Sequence, residues 1–137
     1  MGTLILLNGS ALSWRSSKQP QITKSTADSE ITAAASSAIL GQNIRALLES
    51  MLVNVGPFDL LIDNKAAIVL ATGEGSWKTK ALANRSAALK DDVARGDIIV
   101  KYVDTNAQAA DGLTKFLPPK KVEECRIQMG LIEHSTD

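Results

Sequence analysis

The sequence predicts a mixed α/β fold, and two observations support this class. Short apolar runs of strand length alternate along the chain with longer Ala-rich stretches of helical periodicity. No internal repeat and no linker interrupts the predicted order of hairpin, helix, strand, helix, helix, strand and helix, which is typical of one α/β domain. We therefore expect a single domain over residues 1–132, followed by a disordered tail over residues 133–137.

The composition is that of a globular protein without a strong charge bias. Fifteen Lys and Arg balance fifteen Asp and Glu, so any nucleic-acid contact has to come from a local patch. The single cysteine, Cys125, has no partner for an internal disulfide, and no apolar run approaches the ~18 residues of a membrane span. We expect an intracellular protein, cytoplasmic or nuclear and not secreted, with no membrane partner.

The first predicted element is a β-hairpin. An apolar run over residues 4–7 stops at Asn8-Gly9, a pair that favours a two-residue turn because both positions tolerate positive φ. The returning strand covers residues 11–17, where Trp14 alternates with Ser13 and Arg15. This alternation predicts one face that is buried and carries Trp14, and one that is exposed to solvent.

The remaining elements follow from periodicity and punctuation. Residues 25–28 (STAD) resemble a capping box and begin a long Ala-rich helix that ends before Gly56-Pro57. Residues 58–62 are apolar except for Asp59, as in a strand buried on both faces. Helices over residues 65–71 and 80–95 flank a loop at residues 73–76, a strand covers residues 98–103, and further helices begin near Asp111 and after Pro119.

Three acidic residues stand where such a fold gathers chemistry: Glu30 early in the long helix, Asp63 directly after a strand, and Asp111 before the last helices. Carboxylates suit Mg²⁺, and two such ions can hydrolyse a phosphodiester without histidine. The spacing leaves structural alternatives open. Glu30 can favour the helix dipole, Asp63-Asn64 can be a turn with a helix N-cap, and Asp111 can be another N-cap.

Two other enzyme classes are disfavoured by the sequence. The only histidine, His134, lies near the C-terminus and no nucleophile elbow precedes a helix, which argues against a serine hydrolase. Residues 73–79 (GEGSWKT) lack the glycine that precedes the Lys-Thr pair of a phosphate-binding loop.

Six segments, in order, resemble the ribonuclease H domain of copia-type LTR retrotransposon Pol polyproteins, a family of the ribonuclease H-like superfamily. They are residues 13–19 (SWRSSKQ, family SWSSKKQ), 25–30 (STADSE, family STAEAEY), 62–68 (IDNKAAI, family CDNQSAI), 78–80 (KTK, family RTKH), 102–105 (YVDT, family YVPT) and 108–115 (QAADGLTK, family QLADILTK). The resemblance implies a mixed sheet flanked by helices and partnership with the rest of the Pol polyprotein, including its reverse transcriptase.

The resemblance also implies an activity and its residues. The family holds two Mg²⁺ ions, for which Mn²⁺ can substitute, on an Asp, Glu, Asp, Asp set and hydrolyses the RNA strand of RNA/DNA hybrids. The last three members correspond to Glu30, Asp63 and Asp111. The first belongs to a central strand upstream of the hairpin and has no counterpart here. We therefore expect impaired metal binding, exposed strand edges and weak or absent cleavage.

A second hypothesis follows from that departure: a catalytically dead retrotransposon remnant that acts at most as a binding or interaction module, with a strand-exchange dimer as its prediction. Residues 80–88 (KALANRSAA) also lack both histidines of the family's KHIDIRYH. The residues expected to contact the hybrid are Asn64, Trp77, Lys78, Lys80 and Arg85. The alternative for this set is a solvated loop and helix face.

Overall fold

The computed structural model describes residues 1–18, 26–72 and 80–132. Its elements are the strands β1 (Gly2–Leu7), β2 (Ser10–Ser16), β3 (Phe58–Ile62) and β4 (Ile98–Tyr102), the α-helices α1 (Thr26–Ser50), α2 (Lys65–Thr72), α3 (Lys80–Ala94) and α4 (Pro119–Gln128), and the 3₁₀ helices η1 (Thr105–Ala107) and η2 (Ala109–Leu113). Small sheets flanked by helices confirm the predicted mixed α/β class and are consistent with a ribonuclease H-like fold.

The chain divides into two compact units. The first comprises Met1–Gln19 with Asp104–Asp137, and the second comprises Pro20–Val103. Each unit holds one two-stranded sheet among the described residues, β1 with β2 in the first and β3 with β4 in the second. The single domain expected from the sequence stays a prediction, and the expected tail at residues 133–137 lies outside the described residues.

The first unit is built on the predicted hairpin. β1 and β2 pair antiparallel around a turn in which Asn8 and Gly9 have φ of 52° and 80°, which confirms the hairpin and its turn. The backbone N–H of Ala11 donates to the carbonyl of Met129 at 2.8 Å, so the start of β2 is bound to the segment that follows α4. Cys125 on α4 is buried, as its apolar character favours.

The prediction of a buried face carrying Trp14 is wrong, because 65% of this side chain is exposed. The neighbouring Ser13 is half-buried and Arg15 is exposed. β2 is held through its backbone, by β1 on one side and by Met129 at its start, rather than through the indole ring. An alternating pattern identifies the two faces of a strand, but the smaller side chain here takes the covered side.

The second unit packs three helices against a parallel strand pair. β3 and β4 are parallel, which requires the crossover that α2 and α3 provide. The buried cluster joins residues of all these elements: Ile31, Ala34, Ala38, Leu60, Ile62, Ala67, Ala71, Leu89 and Ile98. Its many alanines allow the helices to lie close to the strands, as the composition of the predicted helices indicates.

One face of this parallel pair is exposed, so the prediction that β3 is buried on both faces is wrong. Leu60 and Ile62 are buried, whereas Leu61 between them is 48% exposed. On the same face Lys101 of β4 pairs with Asp59 at 2.7 Å. The helices of the unit cover the opposite face. An apolar run alone does not show whether one face of a strand or both faces are buried.

The last elements differ from the prediction in type. The turn region near Asp111 forms the 3₁₀ helix η2 rather than an α-helix. α4 begins at Pro119, which occupies the first helical position, where its missing N–H removes no helical hydrogen bond. No helix among the described residues is long and apolar enough to cross a membrane.

Candidate metal and nucleic-acid site

The carboxyl ends of β3 and β4 lie at one edge of the second unit. In the parallel register Ile62 is opposite Tyr102, and the N–H of Val103 donates to the carbonyl of Ile62 at 3.0 Å. Asp63 follows directly, and its side chain is half-buried. Over the part of the chain that the structure describes, no hydrogen bond or ion pair engages its carboxylate. Both of its oxygens therefore remain available at the strand edge where α/β proteins place ligands.

Asn64 is the N-cap of α2. Its side-chain oxygen accepts the N–H of Ala67 at 3.1 Å, and its carbonyl accepts the N–H of Ile68 at 3.1 Å. This confirms the capping alternative for the Asp63-Asn64 pair. The cap also fixes the backbone beside Asp63, while contact of Asn64 with nucleic acid stays a prediction.

Glu30 lies in the second turn of α1 and is half-buried. The acidic residue in the first turn is Asp28, so the favourable dipole position belongs to that residue rather than to Glu30. Ile31 beside Glu30 and Ile62 beside Asp63 belong to the same buried cluster. One core thus fixes the backbone that carries both carboxylates.

Asp111 lies inside η2, in the first unit. The alternative that Asp111 is a helix N-cap is wrong, because its own N–H donates to the carbonyl of Gln108, and Gln108 is the N-cap of η2. A five-residue 3₁₀ helix begins earlier than the α-helix that the spacing indicated. The Asp111 side chain is only 18% exposed, and its carboxylate accepts a hydrogen bond from the Lys115 ammonium at 2.7 Å.

The donor chemistry suits a hard cation, since all three predicted ligands are carboxylates. Glu30 and Asp63 belong to the second unit and Asp111 to the first. Among the described residues of either unit, no three His, Cys, Asp or Glu side chains are grouped as a metal site. The assignment of all three as metal ligands is therefore carried by their chemistry and by the resemblance of their motifs.

The other predicted nucleic-acid contacts are described only in part. Trp77 and Lys78 lie outside the described residues. Lys80 and Arg85 lie in α3 by their backbone, and their side chains lie outside the description.

Sequence reasoning missed a lysine and an aromatic residue beside Asp63. The Lys65 ammonium lies over the Tyr102 ring, 5.4 Å from its centre. The available signal was positional: Lys65 is two residues after Asp63, and Tyr102 ends the next strand of a predicted parallel pair. Lys115, four residues after Asp111 and just beyond the end of η2, was missed as well.

Comparison with known proteins gives the context of this site. The chain is 30% identical over 124 residues to the transposon Ty1-JR1 Gag-Pol polyprotein of Saccharomyces cerevisiae. The chain is homologous to a segment of Ty1 Gag-Pol polyproteins. The truncated transposon Ty1-A Gag-Pol polyprotein and the transposon TyH3 Gag-Pol polyprotein, both of Saccharomyces cerevisiae, match with the same identity over the same length.

The homologous region covers 88% of this chain but only 7% of the Ty1-JR1 and TyH3 polyproteins and 10% of the truncated Ty1-A polyprotein. No protein-family model and no solved structure matches the chain. The similarity supports a retrotransposon-derived region of a Pol polyprotein of the Ty1, copia-type, kind.

Proposed function

We propose that this chain is the ribonuclease H region of a retrotransposon Pol polyprotein and hydrolyses the RNA strand of RNA/DNA hybrids. The observation that carries the proposal is the position of Asp63, a half-buried carboxylate at the carboxyl edge of a parallel strand pair. Homology to Ty1 Gag-Pol polyproteins over 88% of the chain supplies the biological setting. In that setting an RNA/DNA hybrid is the natural substrate and the rest of the polyprotein, with its reverse transcriptase, the natural partner.

The chemistry requires carboxylates rather than a protein nucleophile. Glu30, Asp63 and Asp111 would hold Mg²⁺, or Mn²⁺ in its place, and the bound ions would activate a water and neutralise charge on the phosphate. The buried neighbours Ile31 and Ile62 restrain the backbone at Glu30 and Asp63. To bind the metal, the Asp111 carboxylate would have to give up its ion pair with Lys115. The proposed setting is intracellular, in the cytoplasm or the nucleus.

Cleavage of a labelled RNA strand within an RNA/DNA hybrid tests this function. We expect weak cleavage in Mg²⁺ or Mn²⁺, none in EDTA, and none of the same RNA paired with RNA. Because Asp63 would help to hold the metal that activates the attacking water, Asp63→Asn should abolish cleavage while leaving the fold intact. Absence of cleavage in both metals at high protein concentration would contradict the function for this chain.

A folded interaction module without activity is the second candidate, and one observation favours it. Each of the four described strands has one neighbouring strand, so every strand keeps an edge without a strand partner within the described residues. Strand exchange between two copies would pair such edges. Sedimentation of the chain distinguishes the candidates: a dimer without hybrid cleavage supports the module, and a monomer that cleaves supports the enzyme.

A further inference from the structure

We propose that Lys65 and Tyr102 together form a contact for the RNA/DNA hybrid beside Asp63. This inference rests on the proposed function, and it names the residues that hold the substrate rather than those that cleave it. Asp63 follows Ile62, and Ile62 is the register partner of Tyr102. The first residue of α2, Lys65, is therefore carried to the same edge of the sheet as the aromatic ring.

The position of Lys65 is determined by its surroundings. The cap that Asn64 makes with the N–H of Ala67 fixes the start of α2. From there the Lys65 side chain extends over the Tyr102 ring, 5.4 Å from ammonium nitrogen to ring centre. An aromatic face attracts an ammonium ion through its quadrupole and limits the directions that the lysine can take. The lysine is thus partly ordered before any ligand binds.

The charge of Lys65 is also available. Its side chain is exposed, and no carboxylate among the described residues forms an ion pair with it. Lys101 on the same sheet is in contrast paired with Asp59, and Lys115 is paired with Asp111. A neutral ring does not neutralise the charge of the ammonium, so this charge remains available for a phosphate. In an ion pair, a carboxylate already neutralises the charge of the lysine.

The ring adds a second kind of contact. Tyr102 is 49% exposed, so part of its surface is open to a sugar or base next to the phosphate. A cation and an open aromatic surface at one strand edge match the alternating phosphates and rings of a nucleic-acid strand. With the chain's balanced net charge, such a local pair is the kind of contact that the composition requires.

Hybrid affinity without divalent cations tests this contact separately from cleavage. The probe is a fluorescein-labelled RNA/DNA hybrid in EDTA, titrated with the full chain by anisotropy across a salt series. Lys65→Met removes the charge and keeps an apolar stem. We expect it to weaken binding roughly 5- to 10-fold at about 0.1 M salt and to lower the salt slope by about 1, as for one lost phosphate contact. Tyr102→Leu should weaken binding several-fold, and Tyr102→Phe should bind like the unaltered chain.

Lys101→Met is the matched control, because it removes a lysine charge from the same sheet at a residue already paired with Asp59. It should leave affinity and salt slope unchanged. A salt slope unchanged by Lys65→Met in a folded protein would overturn the proposal, as would equal losses in Lys101→Met. Hybrid binding without cleavage would refute the proposed activity while these variants still decide the contact. Failure of the unaltered chain to bind hybrid would overturn both.

Discussion

The guanidinium of Arg45 donates to the carboxylate of Asp97 at 3.1 Å, across 52 positions of sequence. Arg95 donates to the other oxygen of the same carboxylate at 3.1 Å, and Arg45 also binds Glu49 at 2.9 Å. These bonds connect the second half of α1 to the turn between α3 and β4. The hydrogen bonds from Arg95 and then Arg45 lower the pKa of Asp97 below its ordinary value.

Asp97→Asn should lower the melting temperature at neutral pH by a few degrees, because both arginines lose a charged partner at a partly exposed site. The folded pKa of Asp97 lies below the unfolded value of about 3.9, so its contribution is present above that pH and is lost as pH falls through the folded pKa. Calorimetry from pH 7 to pH 2 should show the two proteins converging below about pH 4. Asp91→Asn, an exposed carboxylate on α3, is the control. A difference that persists at pH 2 would refute the linkage.

Gly41→Ala should destabilise the chain by about 1–3 kcal/mol through overpacking. A Cβ at this position of α1 would lie 2.7 Å from the Phe58 ring, closer than side-chain atoms pack. Urea unfolding gives the free energy. In a Phe58→Leu background the same substitution should cost much less, since the ring atoms that it meets are gone. An equal cost in both backgrounds would show that the ring is not the obstacle.

Asn64→Ala should cost about 1 kcal/mol of unfolding free energy, because α2 loses its side-chain cap on the N–H of Ala67. Asn64→Asp keeps a capping oxygen and should restore most of the loss. Parallel urea titrations of the three proteins measure this. If Asn64→Ala is as stable as the unaltered chain, the cap contributes nothing to stability.

Lys115→Met should tighten Mg²⁺ binding about two- to fivefold. In this variant the metal no longer competes with the exposed Lys115 ammonium for the Asp111 carboxylate. The dependence of melting temperature on Mg²⁺ concentration reports this without cleavage. Lys120→Met removes the same charge from an exposed position on α4 and should leave Mg²⁺ affinity unchanged. Equal effects of the two variants would indicate only a change in net charge.

The sequence predicted elements well wherever the local signal is strong. Asn8-Gly9 determines a turn by its tolerance of positive φ, and the Ala-rich periodicity determines α1 almost to its ends. It failed to predict which side chains are buried, because burial depends on the elements that pack over each strand. The exposure of Trp14 and Leu61 depends on elements distant in sequence, and alternation or an apolar run does not encode them.

The candidate site divides in the same way. The Asp63-Asn64 pair was identified with its cap because both features are local. The contact of Lys65 with Tyr102 joins residues 37 positions apart and depends on the parallel register, which a single sequence does not state. The 3₁₀ helix at Asp111 was missed because its short turn has no periodicity to detect.

The decisive experiment for the proposed site compares Asp63→Asn with Asp59→Asn. Cleavage of the RNA strand in an RNA/DNA hybrid is measured for both variants side by side in Mg²⁺. Both variants remove one carboxylate next to or within β3, but Asp59 lies on the exposed face, paired with Lys101. We expect Asp59→Asn to cleave like the unaltered chain and Asp63→Asn not to cleave. Equal rates for the two variants, or no cleavage by any of the three proteins, would contradict it.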